Sequence, residues 1–151
     1  MIADREPEPL SSESSSLTAK ALKGVRVLVV DDNEDACELV GLIMEQCGAS
    51  VTLVWSTLQA LEVFNENPHD ILICDIGMPG EDGYSLISRL RARQPEQGGR
   101  IPAIALTAFS EPEERTRILQ SGFQMYVGKP VEPSDLVAAV CRLSGKFSVK
   151  S

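Results

Sequence analysis

A chain of 151 residues, 43% of them hydrophobic, can bury one compact core and is too short for two ordinary domains. Its 14 Lys and Arg stand against 22 Asp and Glu, a formal net charge of −8, which argues against contact with a nucleic-acid backbone. No apolar stretch approaches the roughly 20 residues of a bilayer-spanning helix, and Asp, Glu, Pro and Ser stand where a signal peptide needs a basic and then an apolar segment, so no membrane insertion and a cytoplasmic location are expected.

Residues 1–23 are rich in Ser, Glu and Pro, including the run Ser11-Ser12-Glu13-Ser14-Ser15-Ser16, and carry too little apolar surface to offset the entropy of ordering. They read as a disordered leader or linker. From Val25 to Val30 the chain is a nearly continuous β-branched run, the pattern of a strand covered on both faces in a parallel sheet. Asn33 or Asp32 can cap a helix starting near Glu34, whose apolar positions Ala36, Leu39, Val40, Ile43, Met44 and Cys47 keep a spacing of three and four up to Gly48.

The strand-helix unit recurs. Strand Ser50 to Val54 precedes helix Thr57 to Asn65, strand Asp70 to Cys74 precedes helix Gly83 to Arg93, and strand Ile101 to Leu106 precedes helix Glu111 to Ser121. A fifth strand, Gln124 to Val127, leads into helix Pro133 to Leu143, and residues 144–151 form a short tail with no room for an output domain. Cys37, Cys47, Cys74 and Cys141 lack C-x-x-C spacing and sit among apolar neighbours, as small buried hydrophobes do. His69, beside Pro68 and ahead of a strand, reads as a surface loop residue.

Five strands alternating with five helices specify an α/β sheet with right-handed crossovers. Ligands of such sheets bind beyond the carboxyl ends of the strands, where strand order reverses. Asp31, Asp32, Asp75, Thr107 and Lys129 all follow or end predicted strands, so the topology can gather them at one edge. Three carboxylates in one pocket repel and take up protons unless a cation intervenes, and a hard divalent ion with oxygen ligands, Mg²⁺ above all, relieves that conflict.

Asp75 follows an apolar strand and opens the loop Ile76-Gly77-Met78-Pro79-Gly80-Glu81-Asp82-Gly83, whose Pro and Gly residues turn the chain away from the sheet. A carboxylate so placed can attack a phosphoryl donor and form an acyl phosphate. Thr107 can donate a hydrogen bond to a phosphoryl oxygen and Lys129 can supply a positive charge to the same group. Asp82-Gly83 reads as the cap of the next helix, and the Lys129–Pro130 bond is of the kind that can be cis, which would aim the lysine inward.

The segments V-L-V-V-D-D-N, D-I-G-M-P-G-E-D-G, A-L-T-A and K-P occur in that order, and with them residues 24–143 resemble a response-regulator receiver domain of two-component signalling. The resemblance implies a doubly wound five-stranded parallel sheet of flavodoxin-like order 2-1-3-4-5. It implies that Asp75 is the phosphoacceptor, that Asp32 is a direct Mg²⁺ ligand, that Asp31 acts largely through water, and that the Gly77 backbone carbonyl is a further ligand. Thr107 and Lys129 would hold the phosphoryl group, and Tyr126 stands at the aromatic switch position. The implied partners are a sensor histidine kinase or histidine phosphotransfer protein, whose phosphohistidine is the donor, and a downstream protein bound by the fourth helix, fifth strand and fifth helix. No catalysis is implied beyond the chain's own phosphorylation and dephosphorylation.

Two contexts fit: a free-standing single-domain regulator, or the receiver of a hybrid histidine kinase with the leader as tether. Gly77 offers no side chain to orient water and Phe109 is bulky and apolar, which implies a phosphorylated lifetime unlike that of receivers with polar side chains there. Three other readings stand beside this one. One is a Mg²⁺-dependent phosphatase resembling the haloacid dehalogenase family, although that family carries D-x-D after its first strand and this chain has D-D-N. Another is a phosphorylation-independent binding module, which would have a defective acidic pocket. The last is a flavin-binding module, whose phosphate the two aspartates would repel.

Overall fold

The computed structural model describes residues 21–77, 83–108 and 111–144. The strands are β1 (Arg26–Val30), β2 (Ser50–Val54), β3 (Ile71–Asp75), β4 (Ala103–Thr107) and β5 (Met125–Gly128). All pair in parallel, in the order β2-β1-β3-β4-β5. The helices are α1 (Glu34–Gln46), α2 (Thr57–Glu66), α3 (Gly83–Arg91), α4 (Pro112–Ser121) and α5 (Pro133–Ser144), with a 3₁₀ turn at Pro95–Gln97. The sheet is doubly wound, in the strand order expected.

The lack of polar alternation in the central strands has its reason in the layers. Every residue of β3 and β4 is buried. Val27, Val29, Ile71, Ile73, Ile104 and Leu106 share one core with α1 and α5, while Leu28, Val30, Leu72, Cys74, Ala103 and Ala105 share the other with α2, α3 and α4. Each large side chain enclosed in this way contributes about 1.5–3 kcal/mol. Helix starts follow the local chemistry: Asn33 accepts from the Ala36 N–H at 2.9 Å, and Ser56 accepts from the Gln59 N–H at 3.1 Å.

Several boundaries differ from the sequence expectation. β3 begins at Ile71, one residue after Asp70, whose carboxylate accepts from the Arg26 backbone N–H at 2.8 Å and from its guanidinium at 3.0 Å while its own N–H donates to the Arg26 carbonyl at 2.8 Å. β4 begins at Ala103, after Pro102, which has no N–H for a ladder. The packed chain starts ahead of residue 24, for Leu22 is fully buried and its N–H donates to the Cys47 carbonyl at 2.8 Å. Polar neighbours had masked this apolar pair, Ala21 and Leu22, and residues 1–20 and 145–151 lie outside the described residues.

His69 lies in the loop before β3, as expected, and is half-buried there. Its Nε2 is 3.2 Å from Thr52 Oγ1, its Nδ1 is 3.2 Å from the Asn67 carbonyl, and its ring meets Phe64 edge-on; burial lowers its pKa. All four cysteines are buried thiols outside any disulfide, as expected.

Arg91 ties three segments together. Its guanidinium donates to the Gly122 carbonyl at 2.7 and 3.1 Å, to the Gly99 carbonyl at 3.1 Å and to Gln124 Oε1 at 3.2 Å, and Gln124 in turn accepts from the Ala103 N–H at 2.8 Å. Arg91→Met keeps the stem and strips these donors, so the expected loss is about 2–3 kcal/mol of stability. A urea midpoint unchanged from wild type would show that water satisfies the same carbonyls equally well.

Candidate functional site

Because β1 and β3 are direct neighbours, with Val30 opposite Cys74, the residues that leave their carboxyl ends meet. One carboxylate oxygen from each of Asp31, Asp32 and Asp75 lies within 4.8 Å of the others. Asp31 and Asp75 are buried, at 1% and 7% exposure, and Asp32 faces solvent. On the other flank Thr107 pairs with Gly128, and the Thr107 carbonyl accepts from the Lys129 N–H at 2.8 Å. The lysine side chain then reaches back, its Nζ 3.2 Å from Asp75 Oδ1 and 3.7 Å from Asp31 Oδ2.

Two of the three clustered carboxylates, Asp31 and Asp75, thus share one ammonium. The Gly77 N–H donates to Asp75 Oδ1 at 3.2 Å and the Asn33 N–H to Asp31 Oδ1 at 3.0 Å. Asp31 Oδ2 is buried without a hydrogen-bond partner, since 3.7 Å to Lys129 is beyond hydrogen-bond range. Burial pushes the Asp31 carboxyl above its ordinary pKa, and the charges of Asp75 and Asp32 push it further, against the opposing pull of the Asn33 N–H and of Lys129. An unsatisfied buried anionic oxygen beside two more carboxylates is what a hard divalent cation would satisfy. Cys37, beneath the pocket, does not join this oxygen set. Its thiol contacts the Val29 and Val54 carbonyls at 3.7 and 3.6 Å, and burial with the Asp31 charge pushes it up to about 11.

Thr107 is buried at the end of β4. Tyr126 is half-buried on β5 opposite Ala105 and packs on the α2–α4 side of the sheet. The Lys129–Pro130 bond is cis. The structure therefore brings Asp31, Asp32, Asp75, Gly77 and Lys129 into one pocket, with Thr107 beside Lys129 and Tyr126 one strand position short of Val127. Residues 78–82, including the Asp82 cap, and Phe109 lie outside the described residues.

Sequence reasoning undervalued Gly83. A Cβ there would come within 2.9 Å of Ile76 Cα and 3.0 Å of the Asp75 carbonyl oxygen, so the start of α3 can seat against the loop after Asp75 only without a side chain. It missed Tyr84 altogether, whose hydroxyl donates to Glu114 Oε2 at 2.6 Å across 30 residues of sequence. The D-G pair ahead of a helix was the one available signal for Gly83; Tyr84 had none.

A family model for the response regulator receiver domain matches residues 27–141. An uncharacterised 14.6 kDa protein of Leptolyngbya boryana is 38% identical over 121 residues, 80% of this chain and 91% of that protein. The sensor histidine kinase GacS of Pseudomonas protegens is 32% identical over 138 residues, 91% of this chain, which spans only 15% of GacS. Among solved structures, a receiver domain of a Francisella response regulator superposes with a TM-score of 0.73 at 30% identity, covering 82% of this chain and 99% of that one. The receiver domain of the sensor histidine kinase PA1611 of Pseudomonas aeruginosa, solved with a magnesium ion coordinated in its active-site cleft, also superposes at 0.73, with 33% identity, covering 81% of this chain and 98% of that one.

Proposed function

Since the chain belongs to the family of response regulator receiver domains of two-component signalling, we propose that it accepts a phosphoryl group from a phosphohistidine onto Asp75 and passes the signal on by a change of conformation. The observation that carries the reading is the pocket itself, in which Asp75 is clustered with two further aspartates and lies 3.2 Å from Lys129 Nζ. A carboxylate oxygen of Asp75 attacks phosphorus, a P–O bond forms, the P–N bond of the donor breaks and the imidazole leaves. Lys129 and the Gly77 N–H orient the Asp75 carboxylate, and the Thr107 hydroxyl with Lys129 receives the phosphoryl oxygens.

Asp32 would hold Mg²⁺ directly, with Asp75 and the Gly77 carbonyl, and Asp31 would act largely through water. A Mg²⁺ so bound supplies the positive charge that lets an anionic donor approach an anionic pocket. The magnesium in the PA1611 receiver supports this assignment.

The donor is a sensor histidine kinase or a histidine phosphotransfer protein, which places the chain in the cytoplasm. The chain catalyses only its own phosphorylation and dephosphorylation. The downstream protein docks on α4, β5 and α5; Tyr126 and Val127 of β5 and Asp135 and Arg142 of α5 help line a cleft of about 280 Å³. The test is intact mass after incubation with Mg²⁺ and a small acyl phosphate. A single phosphoryl adduct that requires both the metal and Asp75 is expected; continuous turnover of the donor without a lasting adduct would favour the phosphatase reading.

The lifetime of that adduct depends on Gly77. Among the described residues a Cβ at this position would meet only Asp75 Oδ1, at 3.8 Å, an ordinary contact distance, so Gly77→Asn is the substitution that adds a polar side chain there. Its phosphorylated form is expected to decay at a rate different from wild type after donor removal, and equal rates would remove the role assigned to this position.

A further inference from the structure

Among the described helices α4 is held most weakly by apolar contact, since Ile118 is its only buried residue. It also has polar contacts with α3. The Tyr84 hydroxyl donates to Glu114 Oε2 at 2.6 Å, a charge-assisted hydrogen bond of the short, strong kind. The Arg117 guanidinium lies over the Tyr84 ring, 3.9 Å from its centroid. One tyrosine therefore grips α4 twice, at residues three apart on the same helical face.

The two sides of this grip trace by short paths to the two halves of the acidic pocket. Tyr84 follows Gly83, which packs directly against Ile76 and the Asp75 carbonyl. Glu114 lies one turn into a helix that starts five residues after Thr107. The two helices that the Tyr84 contacts join thus follow Asp75 and Thr107 closely in the chain.

We propose that Tyr84, Glu114 and Arg117 form a latch that holds α4 in the arrangement seen here, and that this arrangement competes with the one in which Thr107 has closed on a phosphoryl group. The proposal rests on the assignment of Asp75 as phosphoacceptor and adds a control on it. Phosphorylation opens the latch, and opening the latch by mutation favours phosphorylation, because the two equilibria are linked.

The experiment is paired amide exchange and phosphorylation kinetics, with a small acyl phosphate and Mg²⁺, on wild type, Tyr84→Leu, Tyr84→Phe and Glu114→Ala. In Tyr84→Leu, exchange across residues 112–121 should speed on the order of tenfold relative to β3, and the phosphorylation rate should rise severalfold. Tyr84→Phe keeps the ring under Arg117 and should show a smaller effect; adding Glu114→Ala to it should change little more, because both remove one bond. Unchanged α4 exchange in all variants overturns the latch. Faster exchange with an unchanged or slower phosphorylation rate overturns its coupling to the pocket. A wild type that takes up no phosphoryl group fails the Asp75 assignment and the coupling with it, and is told apart from the other failures by the wild-type arm alone.

Discussion

Asp75→Asn takes up no phosphoryl group from a small acyl phosphate under conditions in which wild type is modified once, a loss of at least ~10²-fold in rate. The amide has the size of the carboxylate and can still accept the Gly77 N–H that now binds Oδ1 at 3.2 Å, so the fold should survive. What it lacks is the nucleophilic oxygen anion. The substitution also removes one of three clustered negative charges, so the variant should bind Mg²⁺ more weakly than wild type. Intact mass together with a thermal unfolding curve separates the outcomes. A folded variant that still gains a phosphoryl group would move the acceptor to another residue and sink the mechanism proposed above.

The second large effect runs against the usual expectation that mutating a buried site residue destabilises. Asp31→Asn should stabilise the metal-free protein by about 1–3 kcal/mol, because it removes a buried charge whose Oδ2 has no hydrogen-bond partner. The pH dependence has a definite sign. Burial raises the Asp31 pKa in the folded chain, so the folded state binds this proton more tightly than the unfolded one. The benefit of the protonated form is full below the ordinary aspartate value and is lost as pH rises through the elevated folded value. Metal-free wild type should therefore weaken between those two points, and Asp31→Asn should not.

Asp70 acts in the opposite sense and in a separate window. Its hydrogen bonds from Arg26 lower its pKa, so its contribution is present above the ordinary aspartate value and is lost as pH falls through the lowered one. Urea unfolding in chelator, carried from pH 7 down to well below the ordinary aspartate value, reads both. Added Mg²⁺ should stabilise wild type and help Asp31→Asn far less. If Asp31→Asn proves less stable than wild type without metal, the carboxylate is better compensated than its surroundings indicate.

Most of the architecture was legible because it depends on near neighbours in sequence. Apolar runs of five or six residues, helical spacing of three and four, and the Asn33 cap are all local, and each element lies within a few residues of its expected place. The rest depended on distant residues. Asp70 is tied to Arg26 ahead of β3, Leu22 is buried with its N–H on the Cys47 carbonyl, and His69 reaches Thr52 from its loop.

The site divides in the same way. Sequence alone pointed to Asp31, Asp32, Asp75, Thr107 and Lys129, because strand ends are recognisable and parallel topology sends all of them to one edge, whereas Gly77 and Tyr126 came from the resemblance to receiver domains and Pro130 from its X-Pro bond. Only the tertiary structure decided that Asp31 is buried while its neighbour Asp32 faces solvent, that Lys129 lies nearer to Asp75 than to Asp31, and that one Asp31 oxygen is left without a partner. It alone decided the Arg91 staple and the Tyr84 contacts with Glu114 and Arg117. Periodicity and motif spacing specify which residues can face a given layer, whereas distances between side chains on different elements are set by how the layers pack, and no local pattern encodes them.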